Sequence, residues 1–503
     1  MSASIVLTGL AANDPVPGEY VEVAFAQGPS SLATGTDRVL IIGGLLTTGA
    51  GSASVVYGPD TAIPMLTADD AKLLFGAGSE IHRMVRRFMS MNTTTPVYAI
   101  GVAENAAGVA ATGTITVATT ATAAGTLRIY VQDEFVEVGF VTGDTPTTIA
   151  ANAVIQINAK DYWPVTAANV AGVITITSKQ KGPRANLIRY FGRIIPFTGV
   201  GTTVSPTTST LTASGAGIDD LTAALAVVVA QKYYYIVPAA VDSTQLALVK
   251  SQIDTQALPV TGIRQRMVWG SNDTLSNCIT IVDALNAARS EVVWQLQGDI
   301  PAPELAAIAS AAYTLYEGSD VPRLNWNFYG QGDGEPWPVK APLSGTVPTR
   351  SQIYAALNAG VTPIGVQGPG AYIAKRITNR YKQGAILDYR IRDAHKVLVS
   401  DRYADALISK SALQLRGKEI GDDPKKNEPT PGPRVVTPRV VKAMIDGVTD
   451  FFNGNDLLQN VAEIKKNTTV LRDSGNRTRM GAKVPLQPID ILDQLAYRVD
   501  QVA

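Results

Sequence analysis

Two kinds of text alternate along most of this chain. Solid apolar runs, RVLIIGG (38–44), PVYAIGV (96–102), YYYIVPA (233–239), RQRMVWG (264–270) and EVVWQLQG (291–298), read as strands buried on both faces. Between them lie amphipathic stretches at helical spacing: 65–78, 79–92, 219–231, 243–256, 274–288 and 301–316. Thr67 and Ser79 stand where N-caps belong, and Gly76 and Gly78 stop the first helix. Strand, helix, strand in this order predicts a mainly parallel α/β sheet.

That text is interrupted once. Residues 104–217 are poor in charge and rich in Thr, Ala and Gly, with period-two runs at TITV (114–117), LRIYV (127–131), EFVEVGF (134–140) and GVITITSK (172–179). One helical stretch, 145–159, breaks them. The pattern predicts a β-rich domain inserted in a loop of the first domain. The α/β domain therefore occupies 31–103 and 218–345. Residues 346–481 read as an α+β domain containing a capped helix (348–360) and a hairpin, Asn358 to Tyr381, folded around Gly368-Pro369-Gly370. Val361, Ile364 and Val366 are apolar on the way in, and Tyr372, Ile373 and Ile377 on the way out. Two strands alone are marginal in water and leave open edges, so these six residues are the expected acceptor of further strands.

The ends are the expected donors. Residues 1–30 lack helical period, and Tyr20, Val21 and Val23 fit one extended segment, either a frayed terminus or an arm on a neighbour's sheet. Residues 482–503 carry Val484, Leu486, Ile489 and Ile491 among prolines, either an extended arm or a docked short helix.

Composition narrows the function. Lys+Arg and Asp+Glu are both 43 among 503 residues, so there is no basic excess for broad nucleic-acid or anionic-membrane binding. Zero net charge permits self-association. The single cysteine, Cys278, excludes an internal disulfide framework and reads as core filling. The start of the chain has no signal-peptide pattern, and AALAVVVA (223–230) is too short to span a membrane.

Catalytic patterns are weak. His82 and His395 have no i, i+4 partner for a metal helix, and no G-x-S-x-G elbow occurs. His82, beside Arg83, Arg86 and Arg87, reads as part of a solvated or interfacial helix face. IIGGLLTTGAG (41–51) lacks the P-loop lysine and reads as a glycine-rich turn. No metal or cofactor is expected. Lys375, Arg376, Arg380, Arg390 and Arg392 flank the hairpin, either as an ordinary exposed face or as ion pairs with another subunit.

The order and spacing of several segments resemble the tail sheath proteins of contractile phage tails, of the Mu-like type. They are PVPGEYVEV (15–23), RVLIIGG, NAGVTPI (358–364), IAKRITNRY (373–381), DYRIRD (388–393) and VPLQPIDIL (484–492). The resemblance implies a subtilisin-like but non-catalytic α/β domain, an inserted domain facing outward, and an inner α+β C-terminal domain. It implies terminal arms that add strands to neighbouring copies in a helical polymer. It implies a contracting structural protein of the virion, assembled in the host cytoplasm. Its partners would be further copies of itself, a tail tube protein, and baseplate and tail terminator proteins, with no nucleic acid and no membrane insertion. A pyocin-type or secretion-type sheath is the neighbouring alternative. An α/β hydrolase or nucleotide-binding enzyme is the alternative of another class.

Overall fold

The computed structural model describes residues 38–51, 61–195, 202–203, 209–211, 215–317, 339–343, 345–367, 370–384, 386–388, 392–425, 427–429, 431–474, 477–490 and 497–498. The chain opens with strands β1 (Val39–Gly44) and β2 (Ile63–Met65), helices α1 (Ala68–Phe75) and α2 (Glu80–Met91), and β3 (Val97–Val102). The insertion follows: β4 (Ala110–Val117), β5 (Gly125–Val131), β6 (Glu134–Phe140), α3 (Pro146–Ala159), β7 (Val165–Val170), β8 (Val173–Lys181), β9 (Arg189–Ile195), β10 (Thr202–Thr203) and β11 (Ser209–Thr210). The first pattern then resumes with α4 (Thr222–Val228), β12 (Tyr235–Pro238), α5 (Ser243–Gln256), β13 (Arg266–Ser271), α6 (Leu275–Leu285), β14 (Ser290–Trp294) and α7 (Ala302–Glu317). It closes with α8 (Arg350–Asn358), β15 (Thr362–Gln367) and β16 (Gly370–Ile373).

These strands form one eight-stranded sheet, ordered β16-β15-β14-β13-β12-β1-β3-β2. Six neighbouring strands run parallel, and the antiparallel pairs stand only at its two edges. Every residue of β1 is buried because helices cover both faces. Val39 and Ile41 pack with Phe75, Met84, Phe88 and α7, whereas Leu40 and Ile42 pack with Leu246, Cys278, Val282 and Trp269. The expected caps are in place: Thr67 closes a capping box with Asp70, and Ser79 accepts from the His82 N–H.

The insertion builds two four-stranded antiparallel sheets, β10-β4-β8-β7 and β11-β9-β5-β6, around a core that includes Ile115, Ile129, Val138, Ile157 and Ile174. The hairpin is antiparallel, with Ile364 opposite Ile373. The sequence reading put it in the C-terminal α+β domain. Here β15 lies parallel to β14, Val293 opposite Thr362, so the hairpin extends the α/β sheet.

Beyond it come β17 (Lys382–Gln383), β18 (Ile386–Leu387), α9 (Ala394–Gln414), β19 (Glu419–Ile420), β20 (Val435–Val436), α10 (Pro438–Gly454), α11 (Val461–Asn467), β21 (Thr469–Arg472) and β22 (Met480–Lys483). The described residues divide into two compact units, 38–402 with 488–498, and 403–487. In the second, Tyr403 of α9 packs edge-on against Phe452 of α10 and hydrogen-bonds Thr449 at 2.8 Å. Its described sheets are two-stranded: β19 with β20, and β21 with β22.

Candidate assembly interface

The acceptor residues divide into two groups by burial. Val361, Ile364, Ile373 and Ile377 are fully buried in the chain's own core, while Val366 and Tyr372 are half-buried. What the hairpin can offer a partner is therefore backbone. The Ala374 N–H donates to the Pro363 carbonyl, which sets the alternation of the ladder. Gly370 and Tyr372 bond inward to β15, and Ala371 and Ile373 turn their N–H and C=O groups to the outer edge. A single bridge from Lys340 meets that edge at Gly370.

The segment IAKRITNRY is an internal brace. Arg376, 2 % exposed, forms a two-point ion pair with Glu291 at 3.0 and 3.1 Å, donates to the Tyr235 hydroxyl at 3.0 Å and lies 3.4 Å from the Tyr313 ring centre. The Tyr313 hydroxyl also donates to Glu291, and burial beside that carboxylate pushes its pKa well up. Lys375 pairs with Asp393 at 3.2 Å, and Arg392 with the same carboxylate at 3.3 Å. Asn379 accepts from Trp269 and Ser290 and donates to the Gly360 carbonyl. Lys375 and Arg376 thus spend their charge inside the chain, because acids far away in sequence fold onto them. Arg380 is half-buried, and Arg390 lies outside the described residues.

Of the donor residues, Tyr20, Val21, Val23 and Ile491 lie outside the described residues. Val484, Leu486 and Ile489 are half-buried and not in a strand. The Leu486 N–H donates to the Val484 carbonyl, a tight three-residue turn at Pro485. The Ile489 carbonyl lies 3.0 Å from His395 Nε2, and Asp490 pairs with Lys396 at 2.5 Å.

A second hairpin escaped the sequence reading. β21 and β22 pair antiparallel, Thr469 opposite Lys483, with mostly exposed side chains and no third strand among the described residues. The Asp473 N–H donates to Arg479, so Val470, Arg472, Met480 and Ala482 direct their backbone groups outward on the two edges. The Asp473-Ser474-Gly475-Asn476 turn sequence was the available signal.

The crevice where an open α/β sheet commonly binds ligands is filled among the described residues. In an open sheet the ligand crevice lies beyond the strand C-termini where strand order reverses, here between β1 and β12. The Gly44 N–H at that point donates to Glu80 at 3.1 Å, and the Gln180 side chain of β8 fills the space beside Gly44. His82 is 3 % exposed, so of the two readings of its helix face, solvated or interfacial, the solvated one fails. Its Nδ1 accepts from the Gly78 N–H, and burial lowers its pKa to about 4. Arg83 and Arg87 beside it pair with Glu304, across more than two hundred residues of chain. Burial also lowers the pKa of His395. No group of three His, Cys, Asp or Glu is placed to hold a metal among the described residues, and none of their helices is long and apolar enough to cross a membrane.

Two solved structures titled as sheath tail proteins align along the chain. The protein from Desulfitobacterium hafniense is 14% identical, with 94% of this chain and 97% of that one covered, at a TM-score of 0.48. The protein from Listeria innocua is 10% identical, with 91% and 92% covered, at a TM-score of 0.46. In sequence, the chain is similar to the Mu-like prophage FluMu tail sheath protein of Haemophilus influenzae, at 23% identity over 482 residues, which is 92% of this chain and 93% of that protein. No family profile matches. The resemblance to Mu-like tail sheath proteins thus runs along nearly the whole chain.

Proposed function

We propose that this protein is the structural subunit of a contractile tail sheath. It polymerises helically around a tail tube and contracts to drive the tube through the host envelope, as a virion component assembled in the host cytoplasm. The observation that carries this is the near full-length similarity to a Mu-like tail sheath protein. The α/β unit is a non-catalytic counterpart of the subtilisin-like fold, a reading supported by the filled crevice and the buried histidines. Its partners are other copies, the tube protein, and the baseplate and terminator proteins.

Copies are linked by strand addition, which supplies backbone hydrogen bonds and tolerates rotation of rigid bodies about the linking arms. Contacts that repeat head to tail without closing a ring generate a helix. The donors are residues near Tyr20–Val23 and Val484–Ile491. Two open edges suit an acceptor, the outer side of β16 and the pair β21–β22, and the second is favoured because both of its edges lack a ladder among the described residues. Negative-stain microscopy of purified protein tests the reading: tubes are expected, and they should vanish when 1–25 and 484–503 are removed. A chain that stays single at high concentration would overturn it.

A further inference from the structure

We propose that the filled crevice is a socket that locks the inserted domain to the α/β sheet, so that the two move as one mechanical piece. Two chain crossings alone would leave an inserted domain free to swing. Here the joint is dense and largely buried. Gln180 accepts from the Glu80 N–H at 3.2 Å and donates to the Leu45 carbonyl at 3.3 Å. Arg184, from the turn after β8, reaches three groups of the α/β unit: Glu80 at 3.1 Å, Asp219 at 2.6 Å and the Ala239 carbonyl at 2.9 Å. At the entry of the insertion the Asn105 N–H donates to Asp219 at 2.7 Å.

Further contacts hold the other side. Arg86 pairs with Glu134 at 3.1 Å and lies 4.0 Å from the Tyr162 ring centre, while Arg87 pairs with Asp133 at 2.5 Å. Tyr162 and Trp163 donate to the same Glu134. Lys72 pairs with Asp161 at 2.6 Å, and Arg189 of β9 faces Asp299 at 3.6 Å. A joint of this kind is specific in direction. Each charge has a fixed partner, and shifting the domain would leave Glu80 and Arg184 buried and unpaired. An apolar face, by contrast, can slide. The inference stands on these contacts and does not depend on the sheath reading.

The test is a spin-label distance measurement on the full-length protein. Labels go on Leu73→Cys of α1 and Ile155→Cys of α3, whose native side chains are 66% and 63% exposed. Cys278 is fully buried, so it stays unlabelled. The labelled chain is diluted with unlabelled chain to suppress distances between copies. A single narrow distribution is expected, and about a twofold broadening in Arg184→Met, with Arg184→Lys between the two. A broad distribution in the unsubstituted chain would overturn the proposal, whatever the variants do. So would an unchanged width in Arg184→Met. If Arg184→Met fails to fold, Arg184→Met combined with Glu80→Gln and Asp219→Asn removes both orphaned charges and takes its place.

Discussion

The α/β sheet and the hairpin β21–β22 solve the edge problem in opposite ways. The large sheet buries its parallel strands between helices, ends on an antiparallel strand at each side and fixes its last hairpin with the Glu291–Arg376 brace. The small one has two strands, mostly exposed side chains and both outer edges outside any ladder among the described residues. Open edges are ordinarily blunted because they invite pairing. One sheet carries eight strands under helices and the other stops at two among the described residues, so the second has the larger share of its strands at an edge. The difference separates residues whose loss should unfold the protein from residues whose loss should only prevent assembly.

The largest expected effect is on the complete side. Glu291→Ala leaves Arg376 buried without its carboxylate and should cost about 3–5 kcal/mol in denaturant unfolding. Glu291→Gln with Arg376→Met should recover most of that, and a cost below about 1 kcal/mol for the single change would remove the brace from the argument.

Acid comes next. His82 is neutral when folded, its pKa down from 6.5 to about 4, so between those values the unfolded chain binds the extra proton. Stability from this group is present above pH 6.5 and falls as pH drops toward 4, by about 3 kcal/mol in all. Asp299, raised by burial from 3.8 to about 6, works the other way, losing stability as pH rises through that window. His82→Asn should therefore flatten the acid loss, and Asp299→Asn should steepen it. Parallel stability curves for the three proteins from pH 4 to 6.5 would refute both assignments.

Gly270→Ala is expected to cost about 1–3 kcal/mol, because a Cβ there would collide with the Ala302 carbonyl where α7 begins. The smallest effect on stability, within about 1 kcal/mol, belongs to Val470→Pro and Ala482→Pro, which remove outward N–H groups without touching the ladder. These two should nevertheless abolish polymerisation followed by light scattering. If Ala371→Pro on β16 does so and they do not, the acceptor is the large sheet's edge.

Much of the large sheet was legible because its signals are local. An unbroken apolar run such as VLIIGG declares a doubly covered strand, and Thr67 and Ser79 declare helix starts. The Gly-Pro-Gly hairpin was legible for the same reason, but not its place, since pairing Thr362 with Val293 is a long-range event. Charged residues misled most. Arg83 and Arg376 were open to an exposed or an interfacial reading in sequence, and Glu304 and Glu291, distant in the chain, make their burial tolerable, while His82 is buried neutral and accepts from the Gly78 N–H. The hairpin β21–β22 was missed because short polar strands barely differ from loop text.

The entry and exit of the inserted domain lie side by side. Val109 and Ala216 exchange both backbone hydrogen bonds, at 2.9 and 3.1 Å, and Gly217 sits against Gly108 so closely that a Cβ would not fit. A domain whose two ends meet across one rung can be exchanged like a cartridge. Foreign modules with adjacent termini could be grafted at that rung, with Glu80 and Asp219 neutralised, to carry enzymes or antigens while the sheet beneath keeps its fold.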